Sequence, residues 1–139
     1  MSYLVDTNAI SELVHARPDK RVAEWFDRAA PESLHVSVLT LGELRKGVET
    51  LPAGARKGRI EAWLAAELPA WFEDRVLPID AAVADAWGRL LAHSARPVAA
   101  VDSLIAATAL THRLRVVTRN VADFRFPGPG VVNPWEAGD

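Results

Sequence analysis

The chain has 139 residues, 50% of them apolar and 24% charged, and it contains no cysteine. These values are typical of one globular domain, so we expect a single domain over residues 1–139, and the lack of cysteine excludes disulfides, thiolate metal sites and a cysteine nucleophile. The formal net charge of −2 argues against a globally basic nucleic-acid-binding protein but allows a nuclease with a local acidic site.

Strand and helix patterns alternate along the first half of the chain. Residues 3–6 predict a short buried strand, followed by a helix over residues 7–16. Asp19 is expected to cap the next helix. Residues 34–38 predict a second strand and residues 39–51 a helix. The helix after Asp19 has one apolar face, formed by Val22, Trp25, Phe26 and Ala29.

The same alternation continues to the C-terminus. A helix with one apolar face formed by Ile60, Trp63, Leu64 and Leu68 is expected to kink or end at Pro69. Further strands are predicted at residues 75–79, 115–118 and 131–132, and further helices at residues 80–94 and 101–113. Because the strands are too apolar to face water, the pattern predicts an α/β fold, a three-layer α/β/α sandwich around a central, mainly parallel sheet.

No segment approaches the roughly 18 consecutive apolar residues of a membrane span. The N-terminus also lacks the basic start and apolar stretch of a signal peptide. We therefore expect a cytoplasmic protein without a membrane partner.

Four carboxylates occupy corresponding places in this alternation. In a parallel sheet, ligands bind outside the carboxyl ends of the strands, where the connecting helices begin. Asp6 ends the first predicted strand, and Asp123 follows the strand at 115–118. Glu43 and Asp102 lie near the starts of helices that begin at the same edge. The topology thus predicts that all four acids meet at one rim.

Carboxylates that meet in this way repel one another. Two unit charges 4 Å apart interact by about 1 kcal/mol in water and about 4 kcal/mol at an effective dielectric constant near 20. A cluster of four therefore either protonates in part or binds a cation. Mg²⁺ binds a few carboxylates together with waters and substrate phosphate, and such a site can activate water for an in-line phosphodiester displacement.

Each acid also has an ordinary structural interpretation. Asp6 could cap the first helix, and Glu43 could complete a capping box with Thr40. Asp102 near a helix start would be stabilised by the helix dipole, and Asp123 could be a turn residue. Only the joint placement of the four favours a binding site.

Several segments resemble one known family. Residues 3–13, YLVDTNAISEL, resemble the start of PIN domains, in particular those of the VapC toxins of bacterial toxin–antitoxin pairs and their FitB-like relatives. Similar matches are residues 37–44, SVLTLGEL; 102–109, DSLIAATA; 118–124, TRNVADF; and 133–135, NPW. The resemblance covers essentially the whole chain, in the expected order.

The resemblance implies a ribonuclease toxin. It implies hydrolysis of RNA that depends on Mg²⁺, with Mn²⁺ as an alternative, and carries Asp6, Glu43 and Asp102 over as metal-site acids. It further implies a homodimer that a cognate VapB-like antitoxin silences, with the larger complex bound to operator DNA. One departure is Asn120, since some FitB-like members have an acid at that position; we therefore assign the fourth catalytic and metal role to Asp123.

Neighbouring polar residues are assigned supporting roles. The hydroxyls of Thr7 and Thr118 could orient ligands, although a helix cap and a strand end explain them equally well. Asn8 and Asn120 are assigned as further supporting residues, Asn120 because its amide can bond to a metal-bound water or a phosphate. The basic residues predicted to hold the RNA backbone are Arg45, Lys46 and Arg119, with solvated surface charge as the alternative.

Other conspicuous residues look structural. The tryptophans of the helices are expected to pack in the core or at a dimer interface rather than against bases: Trp25, Trp63, Trp71 and Trp87. The four histidines show no metal-ligand spacing and receive no catalytic role.

Two other functions compete with the toxin hypothesis. One is a non-catalytic module that binds nucleic acid together with its antitoxin as a regulator. The other is a Mg²⁺-dependent phosphatase, whose nucleophilic aspartate is usually followed two residues later by a second aspartate; Asn8 stands there instead.

Overall fold

A five-stranded sheet forms the centre of the computed structural model, which describes residues 1–95, 97–126, 128 and 130–136. Its strands are β1 (Tyr3–Val5), β2 (Leu34–Ser37), β3 (Val76–Leu77), β4 (Arg115–Val117) and β5 (Val131–Val132). They lie in the order β3-β2-β1-β4-β5, and all neighbouring pairs are parallel. The predicted parallel α/β sheet is therefore confirmed.

Helices cover both faces of this sheet. They are α1 (Thr7–Leu13), α2 (Lys20–Arg28), α3 (Val38–Glu49), α4 (Ala55–Ala62), α5 (Leu68–Phe72), α6 (Ala81–Ala92) and α7 (Ala100–His112). No helix within the described ranges is both long and apolar enough to cross a bilayer.

The sheet divides the core into two apolar layers. Successive residues of a strand point to opposite faces. Accordingly Val5 and Val117 belong to the layer shared with α1 to α5, whereas Leu4 and Val116 belong to the layer shared with α6 and α7. All four are at most 1% exposed. The central strands β1 and β4 are thus fixed from both sides, and so are the residues at their ends.

Several predicted boundaries need correction. The first helix ends at Leu13, with Val14 as its C-cap, rather than at residue 16. Pro69 does not end its helix, which continues to Phe72 through a π-helical turn over Trp63–Glu67. Such a wide turn is a common way to accommodate an interruption of the helical hydrogen bonds.

The strand order of the sheet reverses at β1. The chain builds β2 and β3 on one side of β1 and then crosses to build β4 and β5 on the other side. In open parallel sheets, the crevice outside the carboxyl ends of the strands at such a switch point is the usual ligand site. Asp6 directly follows β1, and Thr118 directly follows β4, so both border this crevice.

Candidate active site and metal centre

Asp6 is a buried carboxylate at the junction of β1 and α1. It is 5% exposed, and its backbone N–H donates to the carbonyl of Val117 at 2.9 Å, which ties it to β4. One carboxylate oxygen accepts a hydrogen bond from the Thr7 N–H at 2.8 Å. The interpretation of Asp6 as a helix cap is therefore correct for one oxygen, and it leaves the other to be explained.

The second oxygen of Asp6 faces the end of β4. It accepts hydrogen bonds from the Thr118 hydroxyl at 2.8 Å and from the Asn8 side-chain amide at 3.3 Å. That amide also donates to the Thr118 hydroxyl at 3.1 Å, while the Asn8 carbonyl oxygen accepts from the Arg119 N–H at 3.1 Å. The Asn120 N–H donates to the same hydroxyl at 3.1 Å. This network holds the Asp6 carboxylate in one orientation.

Thr7 links Glu43 to Asp6, because it donates a hydrogen bond to each of them. The Thr7 hydroxyl donates to Glu43 Oε1 at 2.5 Å, and it also lies 3.2 Å from the hydroxyl of Thr40. The capping box proposed for Thr40 and Glu43 is wrong, because α3 begins earlier: its cap is Ser37, whose hydroxyl accepts from the Leu39 N–H at 3.0 Å. Glu43 is thus free of a capping role and reaches the acidic rim.

Thr40 is a member of this site that sequence reasoning misplaced. It is fully buried and contacts Thr7 rather than the start of its own helix. Its spacing of three residues from Glu43, which puts both on the same helical face, is the signal that could have identified it.

Asp102 and Asp123 approach from the other side of the crevice. Asp102 lies in the first turn of α7 and is partly buried, and Asp123 lies in the exposed turn of 3₁₀ helix over Val121–Phe124. Within the described part of the chain, neither side chain accepts a hydrogen bond. Their link to the other acids is electrostatic.

The pKa shifts show that the acids act on one another. Burial raises the pKa of Asp6 to about 6, with the hydrogen bonds from Thr118 and Thr7 opposing the rise and repulsion from Asp102 and Glu43 adding to it. Burial likewise raises the pKa of Asp102, and repulsion from Asp123 and Glu43 raises it further. All four predicted acids therefore lie within electrostatic range of at least one other, as the strand ends predicted.

The donor set fits a hydrated divalent cation. Carboxylates are the hard oxygen ligands that Mg²⁺ prefers. Burial, and after it repulsion between the acids, raises the pKa of Asp6 and Asp102, and a bound cation would stabilise their charged forms against both effects. No three acidic or histidine side chains of the described residues are close enough together to form a complete ligand set. Mg²⁺ usually binds through one or two carboxylates and keeps several waters, so this arrangement suits a water-rich site rather than an all-protein cage.

The basic residues near the site differ in their availability. Arg45 lies 3.6 Å from Glu49 and 3.8 Å from Glu61, so acids already surround its guanidinium. Lys46 is exposed. The Arg119 guanidinium lies 5.4 Å from the ring centre of Trp135, close to the network around Asp6. Of the three, Arg119 and Lys46 are better placed to meet a substrate than Arg45.

Of the four helical tryptophans expected to pack in the core or at a dimer interface, Trp25 is buried, and Trp63 and Trp87 are half-buried. Trp25 makes edge-to-face contacts with Tyr3 and Phe26, and Trp87 donates its indole N–H to the Ser103 hydroxyl at 2.9 Å. Trp71 differs, because 46% of it is exposed.

Comparison with known proteins gives a consistent result. Residues 3–125 match the PIN domain family. The chain is 38% identical to the VapC ribonuclease Y4jK of Sinorhizobium fredii over 96% of this chain and 97% of that protein. It is 36% identical to toxin FitB of Neisseria gonorrhoeae over 95% of this chain and 97% of that one.

A solved structure agrees with these matches. The structure of FitAB bound to a DNA fragment superposes with a TM-score of 0.90 at 33% identity, covering 99% of this chain and 98% of the matched chain. With its parallel sheet, its acidic crevice at the switch point and these relatives, the chain belongs to the PIN-domain family, among the VapC and FitB toxins.

Proposed function

We propose that this protein is a Mg²⁺-dependent endoribonuclease and the toxin of a toxin–antitoxin pair. The observation that carries the proposal is Asp6: a buried carboxylate at the sheet's switch point, held by three donors and raised in pKa by burial and neighbouring acids. Membership of the PIN-domain family, with relatives named as ribonucleases, supports the same chemistry.

In this proposal, four acidic residues bind the metal directly or through its waters. Asp6 and Asp102 would hold one Mg²⁺, and Glu43 and Asp123 would order its waters or a second ion. When bound, the ion supplies an activated water and neutralises the charge that develops in an in-line displacement at phosphorus. Mn²⁺, which takes the same oxygen ligands, is the natural substitute.

The polar neighbours set the orientation of the acids. The Thr118 hydroxyl and the Asn8 amide both donate to one oxygen of Asp6. These bonds favour its charged form and fix the orientation of the carboxylate. The Thr7 hydroxyl does the same for Glu43, so Thr7, Asn8 and Thr118 act as positioning residues.

The basic residues would bind the RNA backbone. Arg119 adjoins the Asp6 network through its N–H, and its guanidinium stacks on Trp135. Lys46 lies one helical turn beyond Glu43 on α3. Contacts of this kind position the phosphates without reading sequence. Because the substrate is cellular RNA, we place the protein in the cytoplasm.

An antitoxin would cover an apolar groove away from the acids. Exposed Leu13 and Trp71 border this groove of about 400 Å³ between α1, α2 and α5. Exposed apolar patches of this kind mark interaction sites, and Asp27 and Glu67 at the rim favour a segment with basic side chains. In the FitAB structure compared above, the complex is bound to DNA. We propose that the pair here also binds operator DNA, with the toxin as a homodimer.

The function is tested with protein purified away from any antitoxin. Incubated with RNA, the wild type should cleave only when Mg²⁺ or Mn²⁺ is added and should stop when EDTA is added. Asp6→Asn should abolish cleavage. The matched control is Asp85→Asn, because Asp85 is an exposed acid on α6 that pairs with Arg89. Equal cleavage by wild type and Asp6→Asn would contradict the proposal.

The regulatory alternative makes the opposite prediction. If the chain were a non-catalytic partner of its antitoxin, the complex would bind operator DNA and no metal would elicit cleavage. The DNA-bound state of FitAB keeps this alternative worth testing, and both assays use the same preparation.

A further inference from the structure

A second groove adjoins the acidic crevice and is continuous with it through Glu43. We call it the α3–α4 groove. It has a volume of about 250 Å³ and lies between the end of α1, one face of α3, and α4 with the π-helical turn that follows it. Because Glu43 borders both, a chain that passes over the acids enters this groove next.

The lining of the groove combines an apolar floor with a cationic rim. Leu44 and Val48 of α3 and Ile60 of α4 form the floor, and the half-buried side chain of Trp63 also lines the groove. Arg56 lies at the rim. Sequence-specific recognition of RNA typically uses such a pocket, because unstacked bases stack on aromatic side chains while cations hold the phosphates.

The groove has the size and charge for one nucleotide. Pockets for drug-sized ligands are roughly 300–1,000 Å³, and this smaller volume suits a single nucleobase. Arg56 makes no ion pair with any described residue, whereas Arg45 nearby is surrounded by Glu49 and Glu61. The guanidinium of Arg56 is therefore available to bind a phosphate of the substrate.

We propose that the α3–α4 groove binds one nucleotide of the RNA adjacent to the scissile phosphate, with its base on the apolar floor and its phosphate at Arg56. This inference rests on the proposed ribonuclease function and deepens it, because the groove would then select the base beside the cleavage point. The larger apolar groove near Trp71 is a poorer RNA site, since its lining has two acids, Asp27 and Glu67, and no lysine or arginine, whereas the α3–α4 groove has Arg56 as well as Glu43.

A glycine in the lining allows a clean test. Gly47 of α3 lines the groove, and a Cβ added there meets no atom within 4 Å. Gly47→Leu is therefore expected to extend apolar atoms into the groove without straining the backbone of α3, and it replaces a poor helix former by a good one. The control is Gly88→Leu, because Gly88 is an exposed glycine within α6 that is equally open and far from the groove in the fold.

Binding should be measured apart from cleavage. In an Asp6→Asn background, fluorescence anisotropy with a short labelled single-stranded RNA should show Gly47→Leu weakening binding by about 10-fold, the range of one lost base stack. Gly88→Leu should bind as its parent does. Arg56→Ala should weaken binding by about 3-fold and flatten its salt dependence, whereas Arg59→Ala on the same helix should change neither.

Cleavage by the otherwise wild-type chain gives the second measurement. Gly47→Leu should still cleave but lose preference among RNAs that differ in the base beside the scissile bond. Weakened binding without any wild-type cleavage would contradict the ribonuclease function and leave the groove supported. The proposed nucleotide site would be overturned if Gly47→Leu bound RNA with the parent's affinity and base preference. It would also be overturned if this variant lost only its binding to the antitoxin. A parent that binds no RNA would overturn it as well.

Discussion

The β1 side of the acidic crevice and its α7 side hold the same chemical group in different ways. Asp6, on the β1 side, is 5% exposed and accepts bonds from Thr7, Asn8 and Thr118. On the α7 side, Asp102 is partly buried and Asp123 is exposed, and within the described ranges their side chains accept no hydrogen bond. One carboxylate is oriented before any ligand arrives, whereas the other two can adjust.

The difference indicates how the site divides its tasks. A fixed carboxylate gives a metal ion a defined position, and movable ones adapt to its waters and to the substrate. The fixed position costs stability, because burial opposes the charge of Asp6. Separate perturbation of the two sides should therefore separate metal position, fold stability and rate.

On the α7 side, the largest effect on the rate is expected at Asp102. Asp102→Asn should lower the cleavage rate by at least about 100-fold, because the ion loses one of its two direct carboxylates. The stability of the metal-free protein should change by less than about 1 kcal/mol, since Asp102 makes only electrostatic contacts. Rates at saturating RNA and urea unfolding, with Asp85→Asn as control, measure both. A normal rate would remove Asp102 from the site.

On the β1 side, stability should depend on pH. Asp6 has a pKa of about 6 when folded against an unfolded value of 3.8. Its contribution to stability is fully present below pH 3.8 and is lost as the pH rises through 6. At one pKa unit per 1.36 kcal/mol, the loss is about 3 kcal/mol.

Urea unfolding in EDTA between pH 3.5 and 7.5 measures this loss. Asp6→Asn should flatten the curve over this range, leaving the smaller contribution of Asp102, whose pKa is raised as well. Mg²⁺ should restore stability at pH 7 to the wild type only. If the stability of the two proteins changed with pH in parallel, the burial of the charged Asp6 would not destabilise the folded protein.

A smaller effect should follow from loosening Asp6 without removing it. Thr118→Val keeps the shape of a buried side chain but deletes the hydroxyl that donates to Asp6 and accepts from Asn8 and Asn120. Metal affinity should fall by about 10-fold, as for other residues that orient a ligand. Thr118→Ser should retain affinity close to wild type, which a merely structural role of the methyl group would not predict.

The smallest effect is expected at the exposed margin. Asp123→Asn should lower the rate by about 3-fold at low salt and by less at high salt, because an exposed charge is strongly screened. Asn120→Ala should change it less, since Asn120 contributes its backbone N–H to Thr118. A loss at Asp123 as large as that at Asp102 would erase the distinction between direct and supporting acids.

Much of the fold followed from the spacing of apolar residues. The parallel sheet and the α2 face formed by Val22 and Trp25 were predictable, because the spacing of apolar residues within each short segment indicates both the type of element and its buried side. The meeting of the acids at one edge was predictable from topology alone. Helix starts were less predictable. Ser37 and Thr40 both suit a cap and both are fully buried, so only the hydrogen bonds that each makes in the folded chain decide between them.

The partners of each acid were not predictable from the sequence. That the Thr7 hydroxyl bonds to Glu43, or that Asn8 and Thr118 share one oxygen of Asp6, depends on side-chain directions across separate elements. No local pattern encodes such directions. The sequence likewise does not show that the Arg45 guanidinium lies beside Glu49 and Glu61, which makes it less available to an RNA phosphate than its position near Glu43 suggests.

The central claim, that Asp6 and Asp102 share one divalent ion, is tested most directly by titrating Mn²⁺ into the RNA-free protein and following free Mn²⁺ by electron paramagnetic resonance. The wild type and Asp85→Asn should bind Mn²⁺ equally, and Asp6→Asn and Asp102→Asn should each bind it at least about 10-fold more weakly. Wild-type affinity in either of those two variants would contradict the shared site.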